Sequence, residues 1–192
     1  MKRNQETWYK YKPNDGTPLI NTILTNDPSM TAWGYSVLDY QNNILFVDCI
    51  KTKTEGKKRR IRKGDETVQR VSEINQVLLA AIKKYNVNLI LSELPHGSQN
   101  AAAAVMIGVV SGVAQTISDC LGISIEWFSE GDSKKAVLRK QSATKQEMID
   151  AIDKLYNVPW TGTKYKDEAI ADSLAIHYVA SKQSAILKMF KK

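Results

Sequence analysis

Residues 23–35 have the sequence Ile-Leu-Thr-Asn-Asp-Pro-Ser-Met-Thr-Ala-Trp-Gly-Tyr, in which a short apolar run stops at Asn-Asp-Pro. This pattern predicts a first strand over Asn21–Asp27, with Asp27 at its end. A carboxylate beside an apolar run is costly to bury unless it is paired or bound to a cation. On local sequence alone, the alternative is a strand-end acid that forms an Asx turn with Pro28 and Ser29.

Two further strand-like runs follow, Ala32–Tyr40 and Asn43–Thr52, and the turn formers between them favour an antiparallel meander. The charged stretch Lys53–Gly64 reads as a loop. Asp65 is the predicted N-cap of a helix to about Tyr85, because apolar residues recur there at helical spacing.

The rest of the chain alternates strands and helices. The predicted strands are Val87–Leu91 and Ile123–Phe128, and the predicted helices are Asn100–Leu121, Asp132–Arg139, Thr144–Leu155 and Asp167–Phe190. This order implies an α/β fold, a mixed five-stranded sheet with its first three strands antiparallel and helices against it.

The composition fits one core of ordinary size, since 43% of the 192 residues are hydrophobic. We therefore expect one domain over 21–192, after a polar arm over 1–20 that has no secretory pattern. The net charge of +7 favours a polyanionic partner. The arm carries aromatic and basic residues that either grip DNA or pack on the domain.

The cysteines and the longest apolar run bear on the compartment. Cys49 and Cys120 are too far apart to indicate a disulfide framework or a zinc site, and free thiols fit the cytoplasm. The run Ala101–Ile117 is short for a membrane span, so a buried helix is expected and no membrane partner.

Two more acids stand near apolar segments. Glu93 directly follows the predicted fourth strand, although an exposed loop acid is the alternative in isolation. Asp172 lies among alanines and other apolar residues, with Glu168 one turn earlier. Two like charges there are tolerable if a cation lies between them, whereas a solvated helix start is the competing interpretation.

Considered together, these acids predict one site at an edge of the sheet. Carboxylates without accompanying Cys form a hard oxygen site, which suits Mg²⁺ or Mn²⁺. Such a cluster can hold two ions roughly 3.5–4 Å apart and catalyse an in-line phosphoryl displacement.

The stretch 23–35 resembles the opening strand and turn of the RuvC-type Holliday-junction resolvases of the RNase H-like superfamily. Val87–Glu93 is similar to the second acidic motif of that family, and Gly108 with Gly112 to its dimer helix. The similar segments continue with a basic segment and a closing helix, Ser133-Lys134-Lys135-Ala136-Val137, Ala143-Thr144-Lys145-Gln146 and Ala171-Asp172-Ser173-Leu174-Ala175-Ile176. The resemblance covers roughly 23–180.

This resemblance, which includes phage-type members of the family, implies an RNase H-like fold and a structure-selective DNA endonuclease. The expected enzyme resolves four-way junctions with two Mg²⁺ ions, for which Mn²⁺ can substitute, and leaves 5′-phosphate ends. It acts on branched DNA as a homodimer through Asn100–Leu121, in the cytoplasm of a bacterium or of a phage-infected host cell. The implied metal ligands are Asp27, Glu93, Glu168 and Asp172, with Lys145 as a further catalytic residue and Lys134 and Lys135 as DNA contacts.

The chain departs from the family pattern at two positions. The family commonly has Asp or His three residues before its last acid, and this chain has Ala169 there. Glu168 is our first choice for the missing ligand and Asp167 the second. Where family members often have an aromatic wedge, this chain has His96, which either stacks on bases or is an exposed loop residue.

A basic run before the first predicted helix is a further candidate DNA contact. The run is Lys57-Lys58-Arg59-Arg60-Ile61-Arg62-Lys63. Phosphate contacts of this kind give affinity without reading sequence, so strong salt dependence is expected. A solvated loop is the alternative.

Three other functions compete with junction resolution. Another RNase H-like nuclease could cut flaps, hybrids or single strands, and a non-catalytic DNA-binding protein could use the same fold. An actin-like ATPase or sugar kinase shares an acidic first strand, but the Gly-poor turn over 27–34 disfavours it.

Overall fold

A mixed sheet of five strands lies at the centre of the computed structural model, which describes residues 22–54, 61–140 and 142–190. The strands are β1 (Thr22–Asp27), β2 (Ala32–Asp39), β3 (Ile44–Lys51), β4 (Leu89–Leu94) and β5 (Ser124–Ser129). The helices are α1 (Lys63–Tyr85), α2 (Ala101–Leu121), α3 (Glu130–Leu138), α4 (Lys145–Leu155), α5 (Lys164–Gln183) and α6 (Ala185–Phe190).

The strand order across the sheet is β3-β2-β1-β4-β5. The pairs β1–β2 and β2–β3 are antiparallel, whereas β1–β4 and β4–β5 are parallel. The predicted α/β class and mixed five-stranded sheet are therefore confirmed. The central position of β1 places its carboxyl end between the ends of its two neighbours.

Alternate residues of the strands face different helices, as a period of two requires. Leu24 of β1 and Ile90 of β4 pack in one cluster with residues of α1 and α2. Ile23 and its neighbour Leu89 pack on the other side with the end of α5. The sheet thus has α1 and α2 on one face and α5 on the other.

Helix α5 lies unusually close to β2. A Cβ atom added at Gly34 would lie 2.0 Å from the backbone oxygen of Ala169, so only glycine allows this approach. Four residues further along α5, the hydroxyl of Ser173 is 2.6 Å from that of Ser36 in a buried hydrogen bond. These two contacts fix the position of α5 along the sheet.

Several predicted boundaries were wrong. Helix α1 begins at Lys63 after Arg62, so Asp65 lies inside its first turn and is not the N-cap. The closing helix begins before Asp167, and it is divided into α5 and α6 at Ser184, whose hydroxyl caps α6 by accepting a hydrogen bond from the Leu187 amide.

Helix α2 is buried along one face only, which corrects the expectation of a buried helix. Val110, Val113, Ala114 and Ile117 pack inward, while Val105 is 59% exposed. Among the described residues, α2 is long and apolar enough to cross a membrane by length and composition alone. The arm over 1–20 lies outside the described residues.

Candidate active site

Asp27 and Glu93 stand side by side on neighbouring parallel strands. Asn26 of β1 is in register with Ser92 of β4, and the Ser92 hydroxyl donates a 2.8 Å hydrogen bond to Oδ1 of Asn26. Because successive side chains of a strand alternate, the acid that follows each of these residues projects toward the α5 face. Glu93 lies within β4 and not after it, because the strand ends at Leu94 rather than at the predicted Leu91.

Asp172 approaches the same edge from α5. It lies between the buried Ala171 and Ser173, and its side chain is 14% exposed. The contacts of α5 with Gly34 and Ser36 hold this part of the helix on β2, and Gly34 is the register partner of Asp27. The third acid is therefore placed by packing between helix and sheet.

The turn that follows Asp27 is fixed by a buried arginine. Nη2 of Arg70 donates hydrogen bonds to the Met30 carbonyl at 2.9 Å and to the Thr31 hydroxyl at 3.1 Å. Its Nε donates to the Thr52 hydroxyl at 2.8 Å. Helix α1 thus holds the turn between β1 and β2, which restricts the movement of Asp27.

Lys145 supplies a positive charge at the cluster. It is the first residue of α4, which starts with a capping box formed by Thr144 and Glu147. Its ammonium group contacts Oδ2 of Asp172 in an ion pair. The fixed start of α4 therefore places a cation beside the buried acids.

The pKa values show that the acids are short of positive charge. Burial, together with the charges of Asp27 and Asp172, raises the pKa of Glu93 from 4.5 to about 9. Burial and repulsion by Asp172 raise the pKa of Asp27 from 3.8 to about 7. Burial also raises the pKa of Asp172 despite its ion pair with Lys145. One ammonium group does not compensate three buried carboxylates.

A fourth acid near the cluster was missed in the sequence. Glu130 is the first residue of α3, and its charge acts on Asp27, Glu93 and Asp172. A hydrogen bond from Lys134 lowers the pKa of Glu130, so it is ionised. The available signal was its position just after a predicted strand, the same position that drew attention to Glu93.

The three acids lie in a stretch of the chain that matches a known protein family. The family model described as crossover junction endodeoxyribonuclease RuvC matches residues 23–179 of this chain.

The chain belongs to the RuvC family.

Relatives in this family are distant in sequence but similar in length. RuvC of Ehrlichia canis is 22% identical over 156 residues, which cover 81% of this chain and 96% of the relative. RuvC of Shewanella frigidimarina is 27% identical over 167 residues, which cover 85% of this chain and 90% of the relative.

Solved structures confirm the RNase H-like resolvase fold. Thermus thermophilus RuvC, in complex with a Holliday junction substrate, has a TM-score of 0.66 and 16% identity over 84% of this chain and 95% of that chain. The yeast mitochondrial Holliday junction resolvase has a TM-score of 0.62 and 13% identity over 91% of this chain and 82% of that chain.

The RuvC position that commonly holds a further ligand is apolar in this chain. Ala169 is buried and packs against Gly34. Glu168 lies one turn before Asp172 on α5, as the sequence indicated. Oδ1 of Asp167 instead accepts hydrogen bonds from the backbone and the hydroxyl of Thr161, at 2.8 and 2.7 Å. Asp167 is thus engaged in holding the preceding loop.

The predicted DNA contacts lie at different distances from the acids. Lys134 is in α3 and contacts Glu130, and Nε2 of His96 is 3.6 Å from the Glu130 carboxylate. Lys135 is exposed in the same helix, and Arg62 and Lys63 are exposed at the start of α1. Lys57, Lys58, Arg59 and Arg60 lie outside the described residues.

The chemistry of the side chains in the cluster suits a divalent cation. Asp27, Glu93 and Asp172 offer only carboxylate oxygens, the ligands that hard cations prefer. The raised pKa values of these acids also indicate a site that gains from added positive charge. Within the part of the chain that the structure describes, no three Asp, Glu, His or Cys side chains are close enough to share one ion. A cation would therefore draw the carboxylates together.

Glu93→Gln should make the metal-free protein more stable, and the gain should grow with pH. Glu93 has a folded-state pKa of about 9 against 4.5 ordinarily, so unfolding releases its proton between these values and wild-type stability falls as pH rises. Glutamine has no proton to release in this range, so the variant does not lose stability in this way. Thermal melts in EDTA at pH 5, 7 and 9 should show a difference that widens to several degrees, since 1 kcal/mol corresponds to roughly 2–4 °C in a domain of this size.

The matched control for this measurement is Glu73→Gln, which removes an exposed carboxylate of α1. Its melting temperature should follow that of the wild type at each pH. A difference between Glu93→Gln and the wild type that stays constant from pH 5 to 9 would contradict the assigned pKa.

Proposed function

We propose that this protein is a Holliday junction resolvase, a structure-selective endonuclease that cuts four-way DNA junctions. The observation that carries the proposal is the meeting of Asp27, Glu93 and Asp172 at one edge of the sheet in a chain of the RuvC family. A single nuclease domain over 21–192, preceded in the sequence by an arm over 1–20, would carry out the cleavage. Such an enzyme acts where the DNA is, in the cytoplasm of a bacterium or an infected host cell.

Asp27, Glu93 and Asp172 would hold two Mg²⁺ ions. Glu168, nominated by the sequence, and Glu130, at the start of α3, are the two candidates for a fourth position. When bound, these ions supply activation of the attacking water and neutralisation of charge on the phosphate. Mn²⁺ has a similar ligand preference and is expected to substitute. Lys145 contacts Asp172 in the metal-free arrangement, and its ammonium group would stabilise negative charge on the phosphate.

The DNA backbone would lie over the edge of the sheet that carries the acids. Lys134, which contacts Glu130, and Lys135, which is exposed in the same helix, would bind phosphates there, and the basic run over 57–63 would offer further phosphate contacts. His96 follows β4 and is 62% exposed, which leaves its ring accessible for stacking on a base. Such contacts position a duplex without reading its sequence.

The experiment that tests this function is cleavage of an immobile four-way junction in Mg²⁺, mapped on all four strands. A resolvase should cut two opposing strands symmetrically and leave 5′-phosphates. Flaps, RNA–DNA hybrids, single strands and plain duplex of the same sequence serve as matched substrates. Equal rates on all of them would favour a general RNase H-like nuclease. Binding without any cleavage in Mg²⁺ or Mn²⁺ would favour a non-catalytic DNA-binding protein.

A homodimer through α2 completes the proposal, because symmetric cuts across a roughly two-fold junction need two active sites. Val105 is 59% exposed on this helix, and added Cβ atoms at Gly108 and Gly112 would meet nothing within 4 Å. An apolar helix face with exposed glycines allows close approach of another backbone. We take a second copy of this chain as its occupant.

Val105→Glu should therefore dissociate the dimer without unfolding the subunit. An unpaired charge buried in an apolar interface costs at least about 1–3 kcal/mol, which raises the dimer Kd by roughly tenfold or more. Sedimentation velocity over a concentration series measures this change. Val68→Glu is the matched control, because Val68 is 68% exposed on α1. Equal dissociation constants for the two variants would contradict the assigned interface.

A further inference from the structure

Three adjacent parallel strands each end beside an acid. In β1 and β4 the acids are Asp27 and Glu93, which the family pattern accounts for. In β5 the acid is Glu130, directly after the last strand residue, and the family pattern assigns it no role. The position of Glu130 therefore needs an explanation from this chain alone.

The register of the sheet places Glu130 at the edge that carries the other acids. Phe128 is paired with Glu93, and Ser129 with Leu94. Phe128 faces the α5 side, where it packs with Ile176. Glu130 comes two residues later, just beyond the level of Glu93 at the same end of the sheet, where the chain turns into α3.

The start of α3 is fixed by a side-chain cap. The Ser129 hydroxyl accepts a 3.0 Å hydrogen bond from the amide of Asp132, so the first helical residue is held in place. The Glu130 carboxylate contacts Lys134 one turn later and lies 3.6 Å from Nε2 of His96. Both contacts lower the pKa of this carboxylate and so keep it ionised.

We propose that Glu130 is the fourth carboxylate of the metal site in this chain, in place of the Asp or His that RuvC proteins commonly carry at the position of Ala169. The inference rests on the proposed function, because it concerns the same cluster. Ala169 cannot ligate a cation, and its methyl group is buried against Gly34. The missing ligand would thus be supplied from the start of α3 instead of from α5.

The electrostatics of the cluster agree with this placement. The negative charge of Glu130 acts on Asp27, Glu93 and Asp172, and also on Lys145. The charge of Glu130 therefore reaches the same three acids that the family pattern assigns to the metal site. A cation drawn to three buried carboxylates would also be attracted by the fourth, already ionised one.

The test compares Mn²⁺ binding to the full chain, measured by titration calorimetry, for matched charge removals. The variants are Glu130→Gln, Glu130→Asp, Glu168→Gln and, as a control, Glu73→Gln, which removes an exposed carboxylate of α1. Glu130→Gln should weaken Mn²⁺ binding by roughly tenfold to a hundredfold, since loss of an outer-shell partner alone costs that much. Glu130→Asp keeps the charge and should recover part of the affinity. Glu73→Gln should bind as the wild type does, and circular dichroism checks that each variant is folded.

Cleavage of the four-way junction by the same preparations separates the two proposals. If Glu130→Gln loses Mn²⁺ affinity but no preparation cuts the junction, the metal site stands and the proposed function fails. If the wild type cuts the junction and Glu130→Gln binds Mn²⁺ equally well, the inference about Glu130 fails and the function stands. A loss in Glu168→Gln that equals or exceeds that in Glu130→Gln overturns the inference, as does a wild type without Mn²⁺ binding.

Discussion

Asp27→Asn is expected to abolish junction cleavage while leaving the protein folded and able to bind the junction. Asp27 is the central acid of the cluster, between Glu93 on the neighbouring strand and Asp172 on α5. An amide keeps the shape of the side chain but removes its charge, so it binds a divalent cation far more weakly. A loss of several kcal/mol of charge stabilisation lowers the rate by roughly a thousandfold or more.

Binding should survive this change for an electrostatic reason. A carboxylate near the phosphate backbone repels it, and the amide does not, so affinity in the absence of metal should stay constant or increase. Gel-shift titration in EDTA and cleavage in Mg²⁺, measured on one preparation, give both values. Glu73→Gln is the control, because Glu73 is an exposed acid of α1 whose carboxylate accepts a hydrogen bond from Gln69.

Two outcomes would contradict the role given to Asp27. Cleavage within tenfold of the wild type would show that the reaction does not depend on this carboxylate. Equal losses of binding and cleavage would show that Asp27 acts on DNA affinity or on folding. The control variant distinguishes both outcomes from a general effect of raising the net charge.

The sheet was predictable because strands leave strong local signals. The apolar runs with turn formers between them identified β1, β2 and β3, and a short apolar stretch identified β4. The acid at the end of β1 and the one in β4 could be named for the same reason, since a charge beside a buried run is costly. The resemblance to the RuvC family then indicated that the two acids belong to one active site.

Features that depend on tertiary contacts were not predictable. The closing helix is interrupted at Ser184, whose hydroxyl contacts Glu126 of β5. No local sequence pattern indicates such a contact. The start of α1 at Lys63 was not predicted, because its N-cap residue is Arg62, which makes no side-chain capping hydrogen bond, and not Asp65. Glu130 was missed because it fell between the predicted strand Ile123–Phe128 and the predicted helix Asp132–Arg139, and only the register of β4 with β5 brings it to the site.

The site is stable only because other contacts hold repelling charges together. Burial and mutual repulsion raise the pKa values of Asp27 and Glu93, so ionising them disfavours the metal-free fold. Opposing this, Arg70 holds the turn after Asp27, and Gly34 with Ser36 holds α5 on β2. The positions of the acids are therefore determined by packing rather than by attraction among themselves.

Among the described glycines, Gly34 is the one at which a change to alanine should be most disruptive. Its Cβ would lie 2.0 Å from the carbonyl oxygen and 2.4 Å from the carbonyl carbon of Ala169. These are backbone atoms of a helix, so no side chain can rotate away and α5 must shift by more than about 1 Å to restore a normal contact. Overpacking of this kind costs about 3 kcal/mol, equivalent to roughly 6–12 °C in the melting temperature of a domain of this size.

The same shift should reduce cleavage beyond its effect on folding. Asp172 follows Ala169 by less than one turn, so it moves with the helix, and a displacement of about 1 Å at a reacting group can lower a rate by roughly a hundredfold. Gly64→Ala is the matched control, because an added Cβ there meets nothing within 4 Å and alanine favours a helix by up to about 1 kcal/mol. Melting temperatures, and cleavage rates measured well below them, test both effects. A Gly34→Ala protein as stable and active as Gly64→Ala would show that the position of Asp172 does not depend on this contact.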